Sequence, residues 1–184
     1  MVRVIAGSAR RLKLKTLDSY DMRPTQDIIK ETLFNTIQTR IPGSHFLDLF
    51  AGSGAIGIEA LSRGASKAVF VENNRSAVTL INENLEHTHL AEDAEVFTSD
   101  ALAALHNFNK RRKFDIIYID PPYKGNLYAP VLKYIASADI LNEEGLVIVE
   151  SLREEDLSFT EELGFKVTKE KLYKNNKHVF LSKE

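Results

Sequence analysis

The 184-residue sequence contains no cysteine and no tryptophan, and only two methionines. Without cysteine a disulfide framework, a thiolate zinc site, an iron–sulfur cluster and a cysteine nucleophile are all excluded, and a reducing, intracellular setting is expected. Long apolar runs are missing too. None approaches the roughly 20 residues that cross a bilayer, and the start MVRVIAGSARR lacks the apolar stretch of a secretory signal, so a cytoplasmic protein with no membrane partner is expected. An excess of one charge sign is also absent. Basic residues number 24 against 26 acidic, a net charge of -2, which taken whole argues weakly against nucleic acid as the partner. With 43% hydrophobic and 27% charged residues, the composition is that of one globular domain and excludes disordered and collagen-like chains.

The average hides an asymmetry. Residues 1–40 hold eight basic and four acidic side chains and carry +4, while residues 41–184 carry -6. The first 15 contain Arg3, Arg10, Arg11, Lys13 and Lys15 and no acid, which points to contact with a polyanion. The later run KRRK at 110–113 reads more simply as a solvated face.

Residues 2–6 (VRVIA) and 12–16 (LKLKT), with Gly7-Ser8 between them, predict an N-terminal hairpin. Thr25 is a suitable N-cap for a helix over 25–38, and Pro42-Gly43 closes this segment. An N-terminal extension over 1–42 and a main domain over 43–184 are therefore expected. From 45 onward short apolar runs at 45–50, 67–72, 94–98, 114–119 and 145–150 alternate with amphipathic stretches at about 54–63, 74–87, 101–107 and 126–137. This βαβα pattern predicts a parallel sheet with helices on both faces. The runs 165–172 and 177–182 are so close together that they must pair antiparallel.

Asp48, Glu72, Asp100, Asp120 and Glu150 lie in or just after the five apolar runs. In an open parallel sheet these positions fall on the carboxyl edge, where ligands bind, and a charge in an apolar strand is costly unless paired or functional. The first run leads into Asp48-Leu49-Phe50-Ala51-Gly52-Ser53-Gly54-Ala55-Ile56-Gly57. The G-x-G-x-x-G spacing suits a dinucleotide, and Glu72 suits a ribose of either NAD or S-adenosylmethionine. Asp48 separates the two, because a pyrophosphate gains nothing from an anion there, whereas an amino acid moiety with a cationic amine does. Asp100 suits an adenine amino group, with Ala101 leaving room for the ring, and equally an N-cap for the helix at 101.

Asp120-Pro121-Pro122-Tyr123 follows the fourth run. The two prolines stiffen the backbone and remove two donors. An amino group conjugated to a base is a poor nucleophile; if Asp120 and the Pro121 carbonyl accept its hydrogens, its lone pair is held toward an electrophile and the developing charge is stabilised where it forms. The Tyr123 ring can stack on the base, worth roughly 1 to 3 kcal/mol. From the residues alone the reading is an amino-group methyltransferase acting on a flipped or unpaired base.

LDLFAGSG followed by DPPY resembles the signature of S-adenosylmethionine-dependent methyltransferases of nucleobase amino groups. Nearly end to end, the chain is similar to the RsmD family of bacterial 16S ribosomal RNA guanine-N2 methyltransferases. VRVIAGSARRLKLK resembles that family's basic start, Met22-Arg23-Pro24-Thr25 with KETLFNTI its R-P-T motif and helix, and VFVENN its ribose-binding acid. Tyr173-Lys174-Asn175-Asn176 lacks the glycine common in the family's tail.

The resemblance implies a Rossmann-like class I fold, an α/β architecture whose mostly parallel seven-stranded sheet has an antiparallel C-terminal strand. It also implies N2 methylation of one guanine of 16S ribosomal RNA in an assembled or assembling small subunit, by a monomer. S-adenosylmethionine would be held by Asp48, Phe50, Ala51, Gly52, Ser53, Gly54, Glu72, Asn73, Asp100 and Ala101. Asp120, Pro121, Pro122 and Tyr123 would be catalytic, and Arg3, Arg10, Arg11, Lys13, Lys15 and Arg23 would contact RNA. The tetrad equally suits adenine N6 or cytosine N4, on RNA or DNA. An NAD-dependent oxidoreductase and a non-catalytic RNA-binding module are the rivals from other classes. His45, His87, His89, His106 and His178 form no ligand set, so no catalytic metal is expected, and each reads as a surface or boundary residue.

Overall fold

A computed structural model describes residues 2–17, 25–122 and 126–184, with side chains in the first helix described from Asp27 onward. The N-terminal segment contributes β1 (Val2–Arg3), β2 (Lys13–Leu14) and α1 (Thr25–Thr36). The main body then alternates β3 (His45–Asp48), α2 (Ala55–Ser62), β4 (Lys67–Glu72), α3 (Arg75–Thr88), β5 (Ala94–Thr98), α4 (Ala101–Phe108), β6 (Phe114–Ile119), α5 (Tyr128–Ser137) and β7 (Leu141–Leu152). A short α6 (Phe159–Glu162) precedes β8 (Phe165–Leu172) and β9 (Asn176–Lys183).

Seven strands form one sheet in the order β5-β4-β3-β6-β7-β9-β8. β3 to β7 run parallel, and β9 inserts antiparallel between β7 and β8. The central strands are continuous apolar runs because both their faces are covered. On one face Phe46, Phe70, Ile116, Ile148 and Phe180 pack under α1, α2 and α3; on the other Leu47, Val69, Ile117, Val147 and Leu181 pack under α4 and α5. After β3 the chain steps outward to β4 and β5, then returns to lay β6 on the other side of β3. The sheet's switch point therefore lies between the ends of β3 and β6, where Asp48 and Asp120 stand.

The N-terminal hairpin is far shorter than its sequence suggests, for a visible reason. The backbone N–H groups of Ile5 and Ala6 donate to the Glu59 carboxylate at 2.8 and 3.0 Å, and that of Ser8 donates to the Ser62 carbonyl at 2.8 Å. The Ala9 N–H donates to Ser62 Oγ at 3.0 Å. These groups are occupied by α2 instead of a partner strand. Gly7 is held so close that a Cβ there would lie 1.7 Å from the Ser62 carbonyl oxygen. Lys15 likewise gives its N–H to Asn84 Oδ1 at 2.8 Å and accepts from Asn84 Nδ2 at 3.0 Å, so β2 ends before it. Val4, Ala9, Leu14, Leu33 and Phe34 enter the same core as Phe46 and Phe70.

β7 begins earlier than expected, because Leu141 already pairs with Phe114 before a bulge resets the register at Ile116–Leu146. The predicted N-cap role of Thr25 falls outside the described side chains. No helix among the described residues is long and apolar enough to cross a membrane.

Candidate active site

All five strand-end carboxylates open on one cavity of about 860 Å³ along the carboxyl edge of the sheet, within the usual range for a small-molecule site. Its floor is the loop between β3 and α2. Asp48 is 1% exposed and accepts one hydrogen bond, from the Gly57 N–H at 3.0 Å. Burial pushes its carboxyl up to about 7, and the nearby Glu72 charge adds to that shift. Phe50, Ala51, Gly52 and Ser53 line the cavity, whereas Gly54 does not; it turns the chain into α2 with a φ of 80°. Gly57 serves packing, since a Cβ there would come within 2.3 Å of the Phe70 ring.

Glu72 spans two loops, accepting from the Gly52 N–H and the Asn74 N–H, each at 2.9 Å. Asn73 lines the cavity beside it, while Asn74 caps α3. Asp100 caps α4 as expected, accepting from the Ala103 N–H at 2.9 Å, and also lines the cavity next to Ala101.

Across the switch point stand Asp120, Pro121 and Pro122. Burial, with the neighbouring charges of Glu150 and Asp48, holds the Asp120 carboxyl well above the usual carboxylate range. No described residue forms an ion pair with Asp48 or Asp120. Tyr123 and Arg23 lie outside the described residues.

Sequence reasoning missed the network that holds Glu150. Glu150 accepts from Tyr118 Oη, from Asn176 Nδ2 at 2.6 Å and, at 2.9 Å, is hydrogen-bonded to His178 Nε2. Burial works against its charge, but hydrogen bonds from His178, Tyr118 and Asn176 hold it below the ordinary glutamate value. His178 is fully buried and its Nδ1 meets Tyr173 Oη at 3.1 Å, so the expectation of a surface or boundary residue is overturned. Its alternation with Phe180 hinted at an inward face; the pairing of His178 with Glu150 across β9 and β7 appears only in the folded sheet.

The basic residues divide. Arg3 pairs with Asp27 at 3.0 Å and Lys15 with Glu83 at 2.8 Å, whereas Arg10, Arg11 and Lys13 are exposed and form no ion pair with a described residue. In the KRRK run Arg112 makes a two-pronged contact with Glu95 at 2.8 and 2.9 Å over the rings of Phe97 and Phe108, and Lys113 pairs with Asp139 at 2.7 Å.

A family model described as "Conserved hypothetical protein 95" matches residues 2–182. A protein of Haemophilus influenzae named ribosomal RNA small subunit methyltransferase D is 38% identical over 85% of this chain and 81% of its own length. Its Escherichia coli namesake is 38% identical over 82% of this chain and 74% of its own length. The chain belongs to the RsmD family. A solved structure of a hypothetical protein from Thermus thermophilus superimposes on this family member with a TM-score of 0.83 at 28% identity, covering 98% of each chain. A second protein of Thermus thermophilus, the 16S rRNA N2 G1207 methyltransferase RsmC, solved with AdoMet and guanosine, shares the fold: TM-score 0.73 and 24% identity over 91% of this chain and 45% of its own.

Proposed function

We propose that the protein transfers a methyl group from S-adenosylmethionine to the exocyclic N2 amino group of a guanine in small-subunit ribosomal RNA, in the cytoplasm and within an assembled or assembling subunit. The observation that carries this reading is the convergence of Asp48, Glu72, Asp100 and Asp120 on one cavity, with Asp120-Pro121-Pro122 across the switch point from the glycine loop. The relatives' names support ribosomal RNA as the substrate.

The residues fit the cofactor. Asp48, without a cation among the described residues, suits an amino acid ammonium group. Glu72 holds the loop closed through one hydrogen bond on each oxygen and keeps lone pairs for ribose hydroxyls. Asp100 keeps an oxygen for an adenine amino group, and Ala101 leaves space beside it. When bound, the cofactor supplies an electrophilic methyl on a sulfonium.

Asp120 and the Pro121 carbonyl accept the two hydrogens of the guanine amine and aim its lone pair at the methyl, so positioning and electrostatics dominate the rate. The nitrogen becomes acidic as the new bond forms. Its proton is lost once that bond has formed, so the reaction needs no strong general base. Glu150, fixed by its three donors, lines the same cavity and adds its charge to the surroundings of Asp120. Arg10, Arg11 and Lys13, free of described acids, face the RNA.

The test is methylation of under-modified small subunits and of naked rRNA, with nucleosides read by mass spectrometry. N2-methylguanosine is the expected product. N6-methyladenosine, or no product with either substrate, would overturn the reading.

A further inference from the structure

The C-terminal hairpin carries a second concentration of positive charge. Residues 165–183 include Lys166, Lys169, Lys171, Lys174, Lys177 and Lys183 against a single acid, Glu170. β8 is the edge of the sheet, and its register decides where those charges point. Directly paired residues of neighbouring strands share a face. Lys166 lies opposite Ser182, Lys169 opposite Phe180 and Lys171 opposite His178, and Phe180 belongs to the core under α1.

In a regular strand Lys166 and Lys169 would point to opposite faces. A register shift between Val167 and Lys169 inserts one extra residue, Thr168, whose hydroxyl donates to the Phe180 carbonyl at 3.1 Å. Bulges re-aim side chains in this way. Its consequence is that all three lysines stand on the α1 face while Glu170 turns to the other, where Lys177 pairs with it at 3.2 Å. Lys183 is also engaged, on the Ala138 carbonyl.

Lys166, Lys169 and Lys171 form no ion pair with a described residue, and no β8 residue enters the core on the α1 face. Glu143 and Glu144 line a groove together with Lys169 and form no ion pair with it. The lysine row runs toward the hairpin turn, where exposed Lys174 precedes Asn176 and His178, both lining the cavity. The N-terminal basic segment lies on the same face, over α2 and α3. Two basic surfaces thus flank α1 on one side of the sheet.

We propose that the α1-side face of β8, through Lys166, Lys169 and Lys171, binds the phosphate backbone of the ribosomal RNA whose target base enters the cavity. This rests on RNA as the substrate. The alternative is that the lysines only guard an exposed edge against pairing with another chain. Charge reversal separates the two, because glutamates guard an edge as well as lysines do but repel phosphate.

The experiment compares K166E/K169E/K171E with K110E/R111E/K133E, a reversal of equal charge on exposed positions away from this face. Binding to naked small-subunit rRNA and to under-methylated subunits is measured from 50 to 200 mM salt, with the thermal shift by S-adenosylhomocysteine as a check on the cofactor site. The β8 variant should lower the salt slope by about 2, so that wild type loses roughly 20-fold more affinity than the variant over this range. The control should keep the wild-type slope. Equal slopes in wild type and the β8 variant would leave only the edge-guarding role, and an equal loss in the control would mean a general charge effect; either overturns the proposal. A loss seen only with assembled subunits would assign the face to a ribosomal protein and overturn it too. If the β8 variant loses its thermal shift, the K166Q/K169Q/K171Q triple is read by the same criteria. Wild type that binds RNA with the steep slope yet yields no N2-methylguanosine would defeat the proposed reaction and leave the β8 surface standing.

Discussion

Glu59, beneath the N-terminal segment, and Asp48, at the end of β3, are 0% and 1% exposed. Glu59 is met by Lys30 at 3.2 Å, by Arg63 at 2.8 Å and by two backbone N–H groups. Asp48 receives one backbone N–H, and the charges that act on it and on Asp120 are other carboxylates. A buried charge is tolerable when it is paired and hydrogen-bonded. Glu59 meets that condition within the chain and ties the segment to the domain. Among the described residues Asp48 and Asp120 find no such partner, and in the proposed reaction a ligand's ammonium and amino hydrogens would supply it.

Removing the paired acid should have the largest effect. Glu59→Ala leaves Lys30 buried without its counter-charge and two N–H groups without an acceptor, so urea denaturation should show a loss of about 3 to 5 kcal/mol. Hydrogen exchange at Ile5 and Ala6 should accelerate with it. A loss below about 1 kcal/mol would erase the contrast with Asp48.

Next comes Asp120→Asn, which should lower kcat by roughly 10²- to 10³-fold while the thermal shift by S-adenosylhomocysteine persists. Unchanged turnover would remove Asp120 from the chemistry.

Asp48→Asn should act in the opposite direction on stability. Because folding raises this carboxyl from 3.8 to about 7, the folded state binds its proton more tightly than the unfolded chain, and stability from this group falls as pH rises between those values. Above pH 7 the asparagine variant of the ligand-free protein should be more stable by roughly 2 to 4 kcal/mol, since each unit is about 1.4 kcal/mol, yet should lose cofactor binding. Thermal melts across pH 4 to 8 check the first part and calorimetry the second. Lower stability at pH 8 would contradict the burial argument.

The smallest effect belongs to a paired residue on the surface. Arg112→Ala should cost no more than about 1 kcal/mol and leave the salt dependence of RNA binding unchanged; a changed slope would return the KRRK run to the RNA interface.

Much of this was legible in the sequence because it depends on local pattern. β4, β5, β6 and β8 occupy the stretches their apolar runs mark; Glu72, Asp100 and Asp120 follow from where those runs stop, and Asp48 from its place inside the first. The N-terminal hairpin was misjudged in length because Glu59 and Ser62, more than 50 residues away, take its hydrogen bonds. His178 was misplaced because its partner Glu150 stands 28 positions earlier and reaches it only through strand pairing.

By itself the sequence determined that a net charge of -2 hides a basic start, that a parallel sheet places five acids on one edge, and that a proline-stiffened aspartate follows the fourth strand of that sheet. These are matters of composition and period, which are fixed along the chain before it folds. Only the tertiary structure decided, among the described residues, which acids meet cations and which basic residues form no ion pair, and that one extra residue at Thr168 gathers three lysines on a single face. Each of those depends on which groups meet across strands and between layers, and a linear pattern carries no record of partners that distant.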